Sequence, residues 1–279
     1  MELYNEISFK TSALITKKYS TSFSIAVSFL PNEMRQAIYS IYGFVRFADE
    51  IVDSFHSVNQ KLVLDTFERD YYEAINNGIS LNPILHSFML TIKKYKIPSQ
   101  LVESFLKSMK SDLDKQTYNN ADELNEYIYG SADVVGLMCL MVFINGNEKH
   151  FHELEKPAMK LGSAFQKVNF LRDLKSDIEH LDRKYFPLFE IKSFNEDVKF
   201  KLIADIENDF KEAKKGILLL PGKSKLAVYI AYLYYKKLLQ NLKLTPVDLI
   251  INKRIRVSNP VKLLLLGRAY IQYQFNTIY

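Results

Sequence analysis

Two aspartate pairs, Asp49/Asp53 and Asp173/Asp177, repeat one four-residue spacing at widely separated points of a 279-residue chain. Carboxylates at i and i+4 share a helix face, where they can jointly ligate a cation. The spacing alone is weak, since the chain holds 15 aspartates and a third pair, Asp205/Asp209, matches as well. Context separates them. Between Arg35 and Ser54 the apolar residues Ile38, Ile41, Val45, Ala48 and Val52 recur at helical intervals. Tyr42, Arg46, Asp49 and Asp53 follow at steps of four, three and four. At about 100° per residue they form one stripe roughly 60° wide, bordering the apolar face. Gly162, Gln166, Asn169, Asp173 and Asp177 repeat the arrangement, with Arg172 beside the stripe. Asp205/Asp209, in the segment ADIENDFK, has charged neighbours all round and is expected to be solvated surface.

Like charges four residues apart cost an isolated helix about 0.2 to 0.5 kcal/mol, so pairs placed beside a core call for a compensating cation. Magnesium suits such pairs, because it prefers oxygen ligands, keeps waters and is commonly held by one or two carboxylates together with substrate phosphates. Arg46 and Arg172 add forks of donors that stay charged and match phosphate oxygens. The residue types therefore point to metal-bound diphosphate, with the two stripes expected as opposed walls of one site.

The rest of the chain must position these stripes. Breakers at Pro31, Asn76-Asn77-Gly78, Pro98, Asn119-Asn120, Asn145-Gly146, Pro187, Pro221-Gly222, Pro246 and Pro260 leave intervals mostly of helical length. No series of alternating strands appears, and no composition shift marks a linker, so the expectation is one all-α domain over residues 1–279. Hydrophobic residues make up 48% and charged residues 25%, which excludes a disordered chain. A net charge of +5 is too small and dispersed to argue for nucleic acid, yet fits anionic substrates or acidic lipid surfaces. Cys139 is the single cysteine, which excludes an intramolecular disulfide, and its apolar surroundings predict a packing role. His150 and His152 point to different helix faces and do not suggest zinc. Residues 134–144 form an apolar run about half as long as a membrane span, expected as a buried helix. The acidic N-terminal residues lack the pattern of a signal peptide, which predicts a cytoplasmic location. The basic and apolar run 253–271 has two readings: closure of the helical bundle, with Arg254, Arg256 and Arg268 solvated or pairing with diphosphate, or peripheral contact with the inner membrane face.

Four blocks resemble the squalene/phytoene synthase family, the head-to-head branch of the all-helical isoprenoid synthases. They are YSTSFS at 19–24 followed by LP at 30–31, AIYSIYGFVRFADEIVD at 37–53, DELNEYIYGSADVVGLM at 122–138, and LGSAFQKVNFLRDLKSD at 161–177 followed by RKYFP at 183–187. Their order and spacing match the family from about residue 15 to 270. One departure is Asp133, which stands where the family usually has a small residue, often Gly.

The resemblance implies an isoprenoid-synthase-type bundle with a central cavity, and a two-step reaction on two allylic prenyl diphosphates, most like that of bacterial phytoene synthase. On that basis Asp49, Asp53, Asp173 and Asp177 would hold magnesium, or manganese, with Asn169 as a further candidate ligand. Arg46, Arg172, Gln166 and Asn169 would position diphosphate oxygens. Ser20, Ser22 and Phe23 would line the first substrate site, and Tyr42, Tyr127 and Val135 the cavity near the cations, where aromatic faces stabilise positive charge and water is excluded. Two alternatives stay open: a squalene or dehydrosqualene synthase joining shorter chains, NADPH being required only for squalene, and a degenerate, non-enzymatic assembly protein. The sequence does not fix oligomeric state.

Overall fold

Helix α3, Asn32–Asp53, carries the first stripe, and its apolar positions explain its place. Ala37, Ile38, Ile41, Phe44, Ala48, Ile51 and Val52 are buried, while Tyr42, Arg46, Asp49 and Asp53 are half-buried along the border. The computed structural model describes residues 1–114, 118, 120–181 and 194–278, with the backbone alone for 175–181. Among these the secondary structure is helical throughout: α1 Glu2–Tyr19, α2 Thr21–Val27, α3, α4 Gln60–Asn77, α5 Pro83–Tyr95, α6 Ser99–Asp114, α7 Ala121–Ile128, a π-helical turn Tyr129–Asp133, α8 Val134–Phe143, α9 Glu148–Leu181, α10 Glu196–Leu219, α11 Gly222–Leu244, α12 Val247–Asn252 and α13 Asn259–Gln274. The all-α expectation holds.

The breakers act where the sequence places them. Gly78 ends α4 in the left-handed region at φ 72°, a conformation glycine adopts without steric penalty. Asn82 and Pro83, not among the expected breakers, also start a helix: Asn82 caps α5, its side-chain oxygen accepting from the Ile84 amide at 3.0 Å, with Pro83 at the first helical position. Asn120 accepts from the Glu123 amide at 2.9 Å to start α7. Pro187 lies outside the described residues. Pro157 interrupts nothing: α9 runs through it for 34 residues, and Gly216 of α10 leaves room for its ring.

The chain divides into two compact units, Met1–Asp114 with Val134–Glu153, and Lys115–Asp133 with Leu154–Tyr279. In the first, Phe44 of α3 stacks on Phe88 of α5 at 4.0 Å between centroids and meets Phe67 and Tyr71 of α4 and Phe105 of α6. Four helices thus share one aromatic core, and each such pair adds about 0.5 to 1.5 kcal/mol beyond its area burial. Helices α1, α3 and α5 meet one another along a different seam, built from small hydroxyls. Ser12 and Ser87 hydroxyls pair at 2.8 Å, as do those of Ser40 and Thr91, all four fully buried. Gly43 faces Ser12 so closely that a methyl group would crowd its Oγ at 3.2 Å.

Helix α8 packs on α3 and α6 in the same unit, with Val134, Leu137, Met138, Leu140, Met141 and Val142 buried. The helical run 121–143 is long and apolar enough to cross a membrane by length and composition, but this burial makes its second half a core element. Cys139 lies on α8, partly buried, and desolvation pushes its thiol up to about 12, in keeping with a packing role.

In the second unit α10, α11 and α13 pack successively. Ile203, Ile206, Phe210, Ala213 and Ile217 of α10 and Leu226, Ile230, Tyr232 and Leu239 of α11 are buried. The reading of Asp205/Asp209 as solvated surface is corrected here. Asp205 is exposed, but Asp209 is only 1% exposed, and its two oxygens accept from Lys160 at 2.8 Å and Lys167 at 2.7 Å, both on α9. The local neighbours of Asp209 are charged, yet its partners come from another helix, and a buried carboxylate needs such partners.

Candidate active site

The first unit brings the first two sequence blocks together. Ser20, extended at φ −142°, separates α1 from the short helix α2, which packs on α1. Phe23 of α2 then stacks on Tyr42 of α3 with centroids 5.2 Å apart. The Arg46 guanidinium lies over the Tyr19 ring at 4.3 Å and donates to Glu50 one turn later. Its Nε is buried without a hydrogen-bond partner among the described residues. Ser20 and Ser22 sit at the start of the same short helix, half-buried. Tyr19 and Glu50 are neighbours of the site that the motif reading passed over. Glu50 was within reach of inspection, since it stands four residues after Arg46 on the same helix.

The second unit assembles a matching set around α9. Gln166, Asn169, Arg172 and Asp173 are half-buried on successive turns. The Arg172 guanidinium donates to both Asp173 oxygens, through Nε at 3.0 and 3.1 Å and Nη2 at 2.5 Å. Arg254, in the irregular segment before α13, approaches the same carboxylate with Nε 2.8 Å from Oδ1. Of the two readings of segment 253–271, this contact places Arg254 with the acidic helix. Burial alone would favour a neutral Arg172, but Asp173 and Tyr235 hold it charged, above its ordinary value. Tyr235 of α11 donates to Asn169 Oδ1 at 3.2 Å and stacks on Phe165 at 3.9 Å. Tyr127 of α7 is buried between Tyr118, at 4.8 Å, and Phe170, at 6.2 Å. Tyr235, and the pairing of Arg254 with Asp173, escaped the sequence reading because these residues lie more than sixty positions from the ones they touch.

Asp177 occupies the next turn of α9, but its side chain lies outside the described residues, as does the segment RKYFP. Val135, on α8 in the first unit, is half-buried. Among the described residues no three His, Cys, Asp or Glu side chains gather into a complete cage for a metal. Two carboxylates per helix nevertheless suit magnesium, whose remaining positions go to waters and phosphate oxygens. The orphaned Arg46 Nε is a donor still lacking the acceptor that a phosphate would supply. The donor set therefore fits metal and diphosphate together better than metal alone.

Residues 16–260 match the model of the family described as squalene/phytoene synthase. A phytoene synthase of Arthrospira platensis is 27% identical, over 95% of this chain and 93% of that protein. The 15-cis-phytoene synthase of a Synechocystis strain is 28% identical, over 93% and 83%. Among solved structures, a dehydrosqualene synthase in complex with ligand superposes with a TM-score of 0.83 at 22% identity, covering 97% of this chain and 98% of that one. A squalene synthase of Alicyclobacillus acidocaldarius gives 0.75 at 20% identity, over 85% and 94%. The fold is that of these isoprenoid synthases, and the chain belongs to the squalene/phytoene synthase family.

Proposed function

We propose that this protein joins two geranylgeranyl diphosphates head to head to give phytoene, by way of a cyclopropyl diphosphate, with magnesium as cofactor, at the first step of carotenoid synthesis. One observation carries the reading: the half-buried Asp49, Asp53 and Asp173 each share a helix with a half-buried arginine, so carboxylates for a metal stand beside forks for phosphate. The names of the sequence relatives favour the C20 substrate.

Asp49, Asp53, Asp173 and Asp177 would hold magnesium, which when bound supplies Lewis-acid neutralisation of the departing diphosphate. Arg46, Gln166, Asn169 and Arg172 orient diphosphate oxygens, with Tyr235 fixing Asn169 and Arg254 sharing Asp173. Ser20, Ser22 and Phe23 border the first substrate. In the first step one C1–O bond breaks, the allylic carbon bonds to the double bond of the second substrate, and a proton is lost as the cyclopropane closes. In the second step the remaining C–O bond breaks, the carbon skeleton rearranges, and loss of another proton leaves the polyene. Two diphosphates and two protons balance the hydrocarbon. Tyr42, Tyr127 and Val135 supply aromatic and apolar surface near these cations, where a water molecule would quench them.

Substrate and product are lipophilic, and α13 with its flank exposes Leu263, Leu264, Ile271 and Phe275 beside Lys262 and Arg268. These features support peripheral contact with a membrane surface, from the cytoplasmic side. The function is tested by offering the purified protein magnesium with geranylgeranyl or farnesyl diphosphate, with and without NADPH, and weighing the hydrocarbon by mass spectrometry. A C40 product formed without reductant is the expected result. A C30 product that requires NADPH would replace the assignment with squalene synthase.

A further inference from the structure

The π-helical turn Tyr129–Asp133 ends on a carboxylate for which the proposed reaction has no use. Asp133 is 5% exposed, and both its oxygens lie within reach of the Ser163 hydroxyl on α9, at 2.9 and 3.1 Å. Asp209 of α10 and Lys160 and Lys167 of α9 are the charged groups that act on it. The backbone presses in as well. A methyl group on Gly162 would stand 3.0 Å from the Ala132 carbonyl oxygen, the Asp133 Cα and the Asp133 Oδ1. The turn and α9 therefore touch main chain to main chain, with a hydroxyl-to-carboxylate bond beside the contact.

A π-turn inserts one residue into a helix and displaces everything before it by about 100° of phase. Such turns are rare and occur frequently at functional sites. Upstream of this one lies Tyr127, whose carbonyl accepts from the Ser131 hydroxyl inside the turn at 2.8 Å. Its ring meets Phe170, eight residues beyond Gly162, while Tyr127 itself lies six residues before Asp133. The two segments run antiparallel, pinned at Asp133 and Ser163 and again at Tyr127 and Phe170. A shift at the first pin turns the ring at the second.

We propose that Asp133 is a positioning residue: by accepting the Ser163 hydroxyl it holds the π-turn against Gly162 and so sets the angle at which α7 presents Tyr127 beside Phe170. The role deepens the function proposed above and rests on it. Asn169 and Arg172 are held by Tyr235 and Asp173, which the clamp does not touch, so it acts on turnover and leaves diphosphate binding alone.

The test compares the parent with Asp133→Ala, Asp133→Asn and Ser163→Ala in steady-state condensation, with folding followed by circular dichroism. Loss of the clamp in Asp133→Ala or Ser163→Ala lowers kcat about 10- to 100-fold with KM within about twofold, the size expected when a reacting group is displaced by an ångström or so. Asp133→Asn keeps kcat within about threefold of the parent, because its amide oxygen can accept the same hydroxyl. The double variant Asp133→Ala/Ser163→Ala is no worse than either single one, as for two ends of one contact. A folded Ser163→Ala with parental kcat overturns the role even if Asp133→Ala fails to fold. So does an Asp133→Asn as impaired as Asp133→Ala, or a KM that rises while kcat holds. A parent that condenses neither prenyl diphosphate sinks the function and the positioning role together, whereas normal parental turnover with an unchanged Ser163→Ala sinks the positioning role alone.

Discussion

Helices α3 and α9 carry nearly the same stripe, yet they hold their arginines differently. On α3, Arg46 is drawn to Glu50 and lies over Tyr19. On α9, Arg172 rests on Asp173 itself, and Arg254 joins it there. Equal spacing thus produces unequal pairing. The α3 arginine is held by a separate acid, and one of its donors still lacks an acceptor. The α9 carboxylate shares two guanidiniums, which in the proposed reaction a metal and a diphosphate would redistribute between them.

The largest test of this contrast removes the carboxylates. Asp49→Asn and Asp173→Asn should each lower turnover by about two to three decades, corresponding to several kcal/mol of lost metal-assisted charge stabilisation. Full activity in both variants, measured by hydrocarbon yield, would refute the shared role. Asp133 provides the next test, on the α9 side alone. Burial raises its carboxyl to about 7 from an ordinary 3.8, against the lowering effect of the Ser163 hydrogen bond. The folded state therefore binds this proton more tightly than the unfolded chain, so the stabilisation is full below about pH 4 and lost as pH rises through 7. Asp133→Asn should then gain about 2 to 3 kcal/mol relative to the parent between pH 5 and pH 8 in urea unfolding. A gain that does not change with pH would show that the carboxyl is charged throughout.

Smaller effects sharpen the contrast between the arginines. Arg254→Ala removes one of two cations from Asp173 and should raise KM about tenfold, near 1.4 kcal/mol, while stability moves by less than about 1 kcal/mol because Arg254 is half exposed. Glu50→Gln releases Arg46 and should change KM by only about two- to threefold, the scale of an i to i+4 ion pair. If Glu50→Gln proves the more damaging of the two, the account of unequal arginines is wrong.

Much of this was legible in the sequence because helical phase is local. The α3 stripe needed only the recurrence from Ile38 to Val52, and the breakers at Gly78 and Asn120 declare themselves by residue type. What stayed hidden depends on partners distant along the chain. Asp209 looked solvated because Lys160 and Lys167 belong to another helix, and Tyr235 meets Asn169 only once α11 has packed. Asp133 stood out as an unusual residue, but neither the π-turn nor the Ser163 hydroxyl could be read from its neighbours. Pro157 would ordinarily end a helix, and α9 tolerates it.

The hydroxyl seam behind α3 bears on how accurately the first aspartate pair can be aimed. Ser40 lies nine positions before Asp49, which puts it on the opposite side of the helix. A greasy contact lets a helix roll by a few degrees at little penalty, whereas the bond from Ser40 to Thr91 works like a key in a slot and resists rotation about the helix axis. Alanine at position 40 would remove the hydroxyl and little else, stripping out the key. The wobble it introduced would surface on the far side of α3, at Asp49.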